Sequence, residues 1–324
     1  MGAKVNGINV AIQKPIIVFG TGRCGSTIFT SMLSTHPQVA WLSGFCDFYP
    51  DKPWINRLLM HSLDYRVVRH LMHLRAVQKK INASECYGFW DHHCHGFSTP
   101  HRDLLPTDVT VKNEQDIHAV LSRMTTRRRR RFLLKVTGWP RVGFLSKVFP
   151  DARFIRIIRD GRAVANSLMN MDFWWGWRGP QNWRWGSLSP AHTEEWNRYK
   201  QSFVVLAGIQ WKLTMDAAER AKRFLHPRDL LEIRYEDLCE SPVEMFREVA
   251  RFAELDWSPV FEQELRRFHL TNRNPRWEVE LTETQQRELN EVLRDYLLRY
   301  GYLNGQPPRS PLALGRRVES VPQP

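Results

Sequence analysis

Apolar residues along this chain come in two rhythms, short unbroken runs and longer stretches at helical spacing, and the two alternate. Ile16 to Phe19, opened by Lys14-Pro15, reads as a strand that runs into Gly20-Thr21-Gly22-Arg23-Cys24-Gly25-Ser26-Thr27. From Ser26 to His36 the spacing turns helical, with Ile28, Phe29, Met32 and Leu33 on one face and His36-Pro37 as the stop. Val39 to Leu42, Phe132 to Val136, Arg153 to Ile158 and Leu230 to Tyr235 read as further strands. Helices are expected at Arg141–Phe149, Gly161–Met171, Pro242–Leu255 and Thr282–Tyr300, with one long helix from Thr193 to Arg223. The stretch 51–125 is mixed, helical around Leu58 to Leu74, with a His-rich loop at 91–101. Strands alternating with helices predict an α/β fold, a central parallel sheet flanked by helices with a P-loop-like strand–loop–helix at its start. No internal repeat or interdomain linker interrupts the pattern. One domain is expected over residues 14–305, after an extension at 1–13 and before a flexible Pro- and Arg-rich tail at 306–324.

Composition narrows the picture without changing it. Among 324 residues, 42% are hydrophobic and 25% charged, the balance of a globular protein rather than a disordered one. Lys and Arg number 47 against 34 Asp and Glu, a net charge of +13 that favours anionic partners without choosing one. No apolar run approaches the roughly 18 residues of a membrane helix. Met1 to Gln13 lacks a signal-peptide layout, and Gly2 lacks the Ser or Thr of a myristoylation signal. The five cysteines are odd in number and widely spread, which suits reduced thiols in a cytoplasm.

The glycine-rich turn carries the first chemistry. A strand, such a turn and a helix bring free N–H groups and a positive helix end to one point, where an anion can sit. Gly20 and Gly25 keep the G-x-x-x-x-G spacing of a nucleotide-binding loop, and Thr27 holds its Ser/Thr position. The Lys of that loop is replaced by Ser26, and the cation lies inside the loop as Arg23. A kinase or ATPase needs the missing Lys on the terminal phosphates. The plain alternative is a glycine turn that only reverses the chain.

A second motif runs Ile157-Ile158-Arg159-Asp160-Gly161-Arg162-Ala163-Val164-Ala165-Asn166-Ser167, an Arg at a strand end and a Ser within the next helix. With the first loop, this resembles the sulfotransferases that use 3′-phosphoadenosine 5′-phosphosulfate (PAPS). Lys135-Val136-Thr137-Gly138-Trp139-Pro140 is similar to the family's lysine strand, and Arg234-Tyr235-Glu236-Asp237-Leu238 to a strand end beside the nucleotide. The resemblance spans roughly residues 14–45 and 130–300. It implies that Gly22, Arg23, Cys24, Gly25, Ser26 and Thr27 hold the 5′-phosphosulfate, and Arg159 and Ser167 the 3′-phosphate. It further implies that Tyr235 lies near the adenine, that Arg273 or Arg276 beside Trp277 closes over the 3′-phosphate, and that Lys135 approaches the sulfo group. No metal is required by that scheme, and no nucleic-acid partner is expected.

Two departures leave the general base open. Many family members carry a Glu just after the second strand, where this chain has Gly44. Others carry a His after the lysine, where it has Thr137. Asp47, three residues on, is the first candidate, its alternative a turn or cap carboxylate. The second is the Asp91-His92-His93-Cys94-His95 cluster, otherwise a solvated loop. Five tryptophans between Trp174 and Trp185, interleaved with Arg178 and Arg184, suit a sugar ring or apolar acceptor, or else core packing. The run Arg127–Arg131 is a solvated stretch or a contact for an acidic glycan, a membrane surface or nucleic acid. The expected activity is sulfo transfer to a hydroxyl or amine acceptor of unnamed identity. A P-loop kinase and a catalytically impaired nucleotide-binding relative are the alternatives.

Overall fold

The computed structural model describes residues 12–65, 68, 80–98 and 101–303. Five strands carry the core: β1 (Ile16–Gly20), β2 (Val39–Trp41), β3 (Arg131–Thr137), β4 (Arg153–Ile158) and β5 (Leu230–Arg234). They form one sheet in the order β2-β3-β1-β4-β5, with every neighbouring pair parallel. All of β1 is buried, as unbroken apolar runs require when helices cover both faces.

The helices used below are α1 (Ser26–Leu33), α2 (Phe45–Phe48), α3 (Pro53–Ser62), α4 (Tyr87–His93), α5 (Val111–Met124) and α6 (Val142–Val148). They continue with α7 (Gly161–Met169), α8 (Pro190–Arg198), α9 (Phe203–Ala221), α10 (Tyr235–Glu240) and α11 (Pro242–Phe252). The apolar face of α1 is anchored by Phe29, whose ring stacks on Phe246 of α11 at 5.0 Å. The most deeply buried charge of the sheet, Arg156 of β4, pairs with Glu219 at 2.5 Å and Glu232 at 2.9 Å. A buried guanidinium is tolerated only with such partners.

Topology decides where a site can form. From β1 the chain crosses past β3 to β2, and from β3 it crosses back over β1 to β4. That reversal opens a crevice at the carboxyl ends of β1, β3 and β4, the usual ligand position of such sheets. Register aligns the ends: Gly20 lies beside both Thr137 and Ile157, and Lys135 beside Val18.

Three local expectations are corrected. The helix expected over Thr193–Arg223 is two, α8 and α9, because Lys200 and Gln201 adopt positive φ of 50° and 59°. Trp196 Nε1 donates to the Ser202 carbonyl at 3.0 Å across that break. The Thr282–Tyr300 helix likewise divides at Leu293 into Glu283–Val292 and Arg294–Arg299. The first part of the His-rich loop is α4, held inward by buried Phe89 and Trp90. Helix around Leu58 is present in α3, whereas most of 66–79, the tail at 306–324 and residues 1–11 lie outside the described residues.

Candidate active site

The glycine loop leaves β1 in a conformation that side chains resist. Gly22 and Gly25 have φ of 76° and 94°, and between them Arg23 is held at 53°. A Cβ on Gly25 would meet the Tyr235 ring at 2.4 Å, so this glycine serves both its dihedral and the close approach of that ring. The turn delivers its backbone to the N-terminus of α1, where no acidic side chain competes for the free N–H groups. A cavity of about 1220 Å³ opens here, and Gly22, Arg23, Gly25, Ser26 and Thr27 line it. Cys24 does not: its side chain is fully buried, burial pushes its thiol pKa up, and only its backbone can serve an anion.

The second motif meets the first inside the same cavity. Arg23 Nε donates to Ser167 Oγ of α7 at 3.0 Å, and Arg159 Nη1 donates to the Arg23 carbonyl at 2.8 Å. The Arg159 guanidinium lies 4.3 Å above the Tyr235 ring. Desolvation in the cleft, then the charges of Arg159 and Arg273, lower the pKa of Arg23. Among the described residues no carboxylate forms an ion pair with Arg23 or Arg159. Asn274 explains how Arg159 is aimed without being neutralised. It accepts from Arg159 Nε at 2.8 Å and donates its amide to Glu236, standing as a neutral spacer between guanidinium and carboxylate. Arg273 and Arg276 also line the cavity, Arg276 tied to Glu280 at 2.5 Å. Asn274 carries no motif, and only its position reveals it.

Lys135 stands just behind the wall, 5% exposed, and bonds to two groups on it. Its Nζ donates to Thr27 Oγ1 at 2.9 Å and pairs with Glu85 Oε1 at 2.9 Å. Thr137, which fills the place of the absent His, donates its hydroxyl to the same Glu85 oxygen at 3.0 Å. Glu85 lines the cavity with its side chain 24% exposed. It is the carboxylate beside the lysine that sequence reasoning misses.

Its arrival has a physical reason. Residues 80–86 run beside the end of β2: Ala83 bridges Ser43, Ser84 N donates to Leu42 O at 3.1 Å, and Trp41 Nε1 donates to Ile81 O at 2.7 Å. A Cβ on Gly44 would strike the Lys80 carbonyl at 2.9 Å. The segment that requires glycine at 44 is therefore the one that brings in Glu85. Tyr87 pins its far end, donating to Thr137 O at 2.9 Å. A carboxylate at the head of the aromatic run Tyr87, Phe89 and Trp90 was the available sign, in a stretch the resemblance does not cover.

The structure does not bring Asp47 to the cavity. Asp47 is exposed on α2, and its Oδ1 accepts from Gly88 N at 2.9 Å, capping the start of α4. Nor do His92, His93 or His95 reach it; His93 Nε2 meets the Pro50 carbonyl at 2.9 Å, and Asp91 accepts from Ser98.

The opposite side of the cavity is aromatic. Trp185 leans on Trp139 with ring centroids 5.6 Å apart and covers Gly138, whose φ is 84° and whose Cβ would meet Trp185 at 2.5 Å. Trp175 lies between Arg178 and Arg184, at 4.4 and 4.3 Å. Trp183 is core instead, its indole donating to Gly186 at 2.5 Å, while Trp174 is buried and also lines the cavity, its indole donating to Gln210 at 2.7 Å. The tryptophan cluster thus divides between packing and lining.

Known proteins share this fold. The sulfotransferase family model matches residues 15–259. The sulfotransferase STF9 from Mycobacterium avium superposes with a TM-score of 0.57 at 19% identity, over 90% of this chain and 78% of that one. The sulfotransferase STF1 from Mycobacterium tuberculosis H37Rv gives 0.54 at 16% identity, over 88% and 78%. At such identities the likeness is one of fold. No curated protein matches the chain at a significant level. With a family match across most of its length, a parallel sheet of this topology and a glycine loop facing an arginine–serine motif, the chain belongs to the sulfotransferase family and is a transferase of sulfo groups.

Proposed function

We propose that the chain transfers a sulfo group from PAPS to a hydroxyl or amine acceptor bearing a flat apolar or sugar face, and releases adenosine 3′,5′-bisphosphate. The observation that carries the reading is the junction of Arg23, Arg159 and Ser167 with Arg273 nearby, cations held together without a paired carboxylate. Such a cluster supports a second anion site beside the glycine loop, which PAPS and its product have and ATP lacks. Ser26 in place of the P-loop Lys argues the same way against a kinase.

The donor would lie with its phosphosulfate over Gly22–Thr27, its 3′-phosphate against Arg159 and Ser167, and its adenine toward Tyr235. Thr27 and Lys135, 2.9 Å apart, then supply a hydroxyl and a cation where charge grows on the departing phosphate oxygen. Glu85, not Asp47, is the base in this reading. As a new S–O or S–N bond forms and the S–O bond to phosphate breaks, the acceptor proton passes to the Glu85 carboxylate. Its ion pair with Lys135 at 2.9 Å holds it beside the reacting atoms in this reading. A working base also argues against a catalytically impaired relative.

Two measurements test the reading together. Calorimetry should find adenosine 3′,5′-bisphosphate bound at least tenfold more tightly than AMP; equal affinities would remove the 3′-phosphate site. Labelled PAPS with an extract of candidate hydroxyl and amine compounds, followed by mass spectrometry, should reveal the species that gains the sulfo group.

A further inference from the structure

The stripe that α3 presents to solvent is apolar where a surface helix should be polar. Trp54 and Leu58 are each 58% exposed, and Tyr65 beyond the helix end is 72% exposed, at helical spacing with His61 between. Asn56, Met60 and Leu63 hold the inward face. On neighbouring α2, Phe48 is 75% exposed and Tyr49 lies beside it at 45%. Five large apolar side chains on one pair of packed helices exceed the scatter of single surface hydrophobics.

The charge at the end of this stripe is positive. Helix α5 packs on α3 and leads into Arg127–Arg130. Arg128 and the buried Arg129 approach the Asp64 carboxylate at 4.0 and 3.5 Å, which sets that turn beside Tyr65. Arg129 is fastened inward, donating to Val39 O at 2.8 Å, whereas Arg123, Arg127, Arg128 and Arg130 are exposed. At the other end Lys52 sits 5.3 Å over the Tyr49 ring. The acids near this face are Asp64, engaged by those arginines, Asp47, engaged by the α4 backbone, Asp51, and exposed Asp116 on α5, which like Asp51 acts on His93. None of these residues lines the active-site cavity.

We propose that α2, α3 and the Arg127–Arg130 turn form a docking surface for an anionic lipid membrane. Trp54, Leu58 and the tyrosines enter the boundary between headgroup and acyl chain, and the exposed arginines meet lipid phosphates. Aromatic and aliphatic residues flanked by cations are the composition of interfacial helices. The excess charge of +13 adds a long-range attraction of the same sign. No described helix is long and apolar enough to cross a membrane, so this contact is peripheral for the described residues.

The test is co-sedimentation of the full chain with phosphatidylcholine vesicles made with and without phosphatidylserine. Binding to the serine-containing vesicles, weakened by salt and low on phosphatidylcholine alone, is expected. Trp54→Ser with Leu58→Ser should weaken it at least tenfold. Replacing Arg127, Arg128 and Arg130 by Ser should weaken it on the order of a hundredfold. Both variants should keep the parent's melting temperature and its affinity for adenosine 3′,5′-bisphosphate, which separates this proposal from that of the donor site. Absence of vesicle binding, or binding that both variants retain, overturns the proposal. So does self-association of the parent that the Trp54/Leu58 variant abolishes while vesicles bind neither, since a second copy then covers the stripe.

Discussion

The wall of the cavity formed by Gly22–Thr27, Arg159 and Ser167 is written in two short stretches, each ordered by its own strand and helix. The rest of the lining gathers Glu85, Trp139, Trp175 and Trp185 from three separate connections, between β2 and β3, after β3, and between α7 and α8. The first wall relies on backbone N–H groups, a helix terminus and cations aimed by neutral partners. The second relies on side chains that meet only because glycines at 44 and 138 let other segments pack against them. In the proposed reading, donor recognition can therefore persist through sequence change that remakes the acceptor side, because each of its two stretches is ordered locally.

The largest effect should separate the two walls. Glu85→Gln keeps shape and removes basicity, so turnover should fall by about 10²–10⁴-fold while affinity for adenosine 3′,5′-bisphosphate stays near the parent's. Asp47→Asn should leave turnover within a few-fold; if Asp47→Asn is the damaging change instead, the base assignment is wrong.

Arg159→Ala attacks the other wall and should spare the first reading of chemistry. A charge-assisted bond is worth roughly 1.5–3 kcal/mol, so bisphosphate affinity should fall by about ten- to a hundredfold while AMP affinity barely changes. Calorimetry decides it: equal losses for both nucleotides would mean that Arg159 merely supports the loop through the Arg23 carbonyl.

Trp185→Ala probes the aromatic side. Stacking on a flat acceptor is worth about 0.5–1.5 kcal/mol, so KM for the acceptor should rise about two- to tenfold at unchanged nucleotide affinity. A change in nucleotide affinity instead would show that Trp185 shapes the turn after β3 rather than an acceptor surface.

The smallest effect at the site is expected from His36, which touches neither wall. Burial, opposed by the hydrogen bond to the Asp256 carbonyl, lowers its pKa to about 4. The folded state holds it neutral while the unfolded chain protonates near 6.5. Stability is thus full above that value and is lost as pH falls through about 4, by about 3 kcal/mol in all. His36→Gln should flatten this limb in melting curves between about pH 7 and pH 4, leaving bisphosphate binding unchanged. An unaltered acid limb would place the titration elsewhere.

Read from the chain alone, the strand–loop–helix at Ile16–Leu33 and the pair Arg159–Ser167 are legible because apolar runs, glycines and helical spacing act over a few neighbouring residues. So are all five strands, whose largely apolar runs follow from burial on both faces. The breaks at Lys200–Gln201 and Leu293 are not, since helical spacing continues through them; at the first, the Trp196 indole bonded to the Ser202 carbonyl spans the break. Arg129 reads like its exposed neighbours until its donation to Val39 O shows it latching the edge strand.

The residues by themselves determined an anion-binding loop, a second cationic motif and the parallel sheet that carries both, because each depends on local backbone geometry and hydrophobic periodicity. Only the tertiary structure decided that Asn274 aims Arg159, that Asp47 caps a helix, and that Glu85 stands beside Lys135. Those contacts join positions 41 to 115 residues apart in the chain, and such pairings are set by the packing of whole segments, which no local pattern encodes.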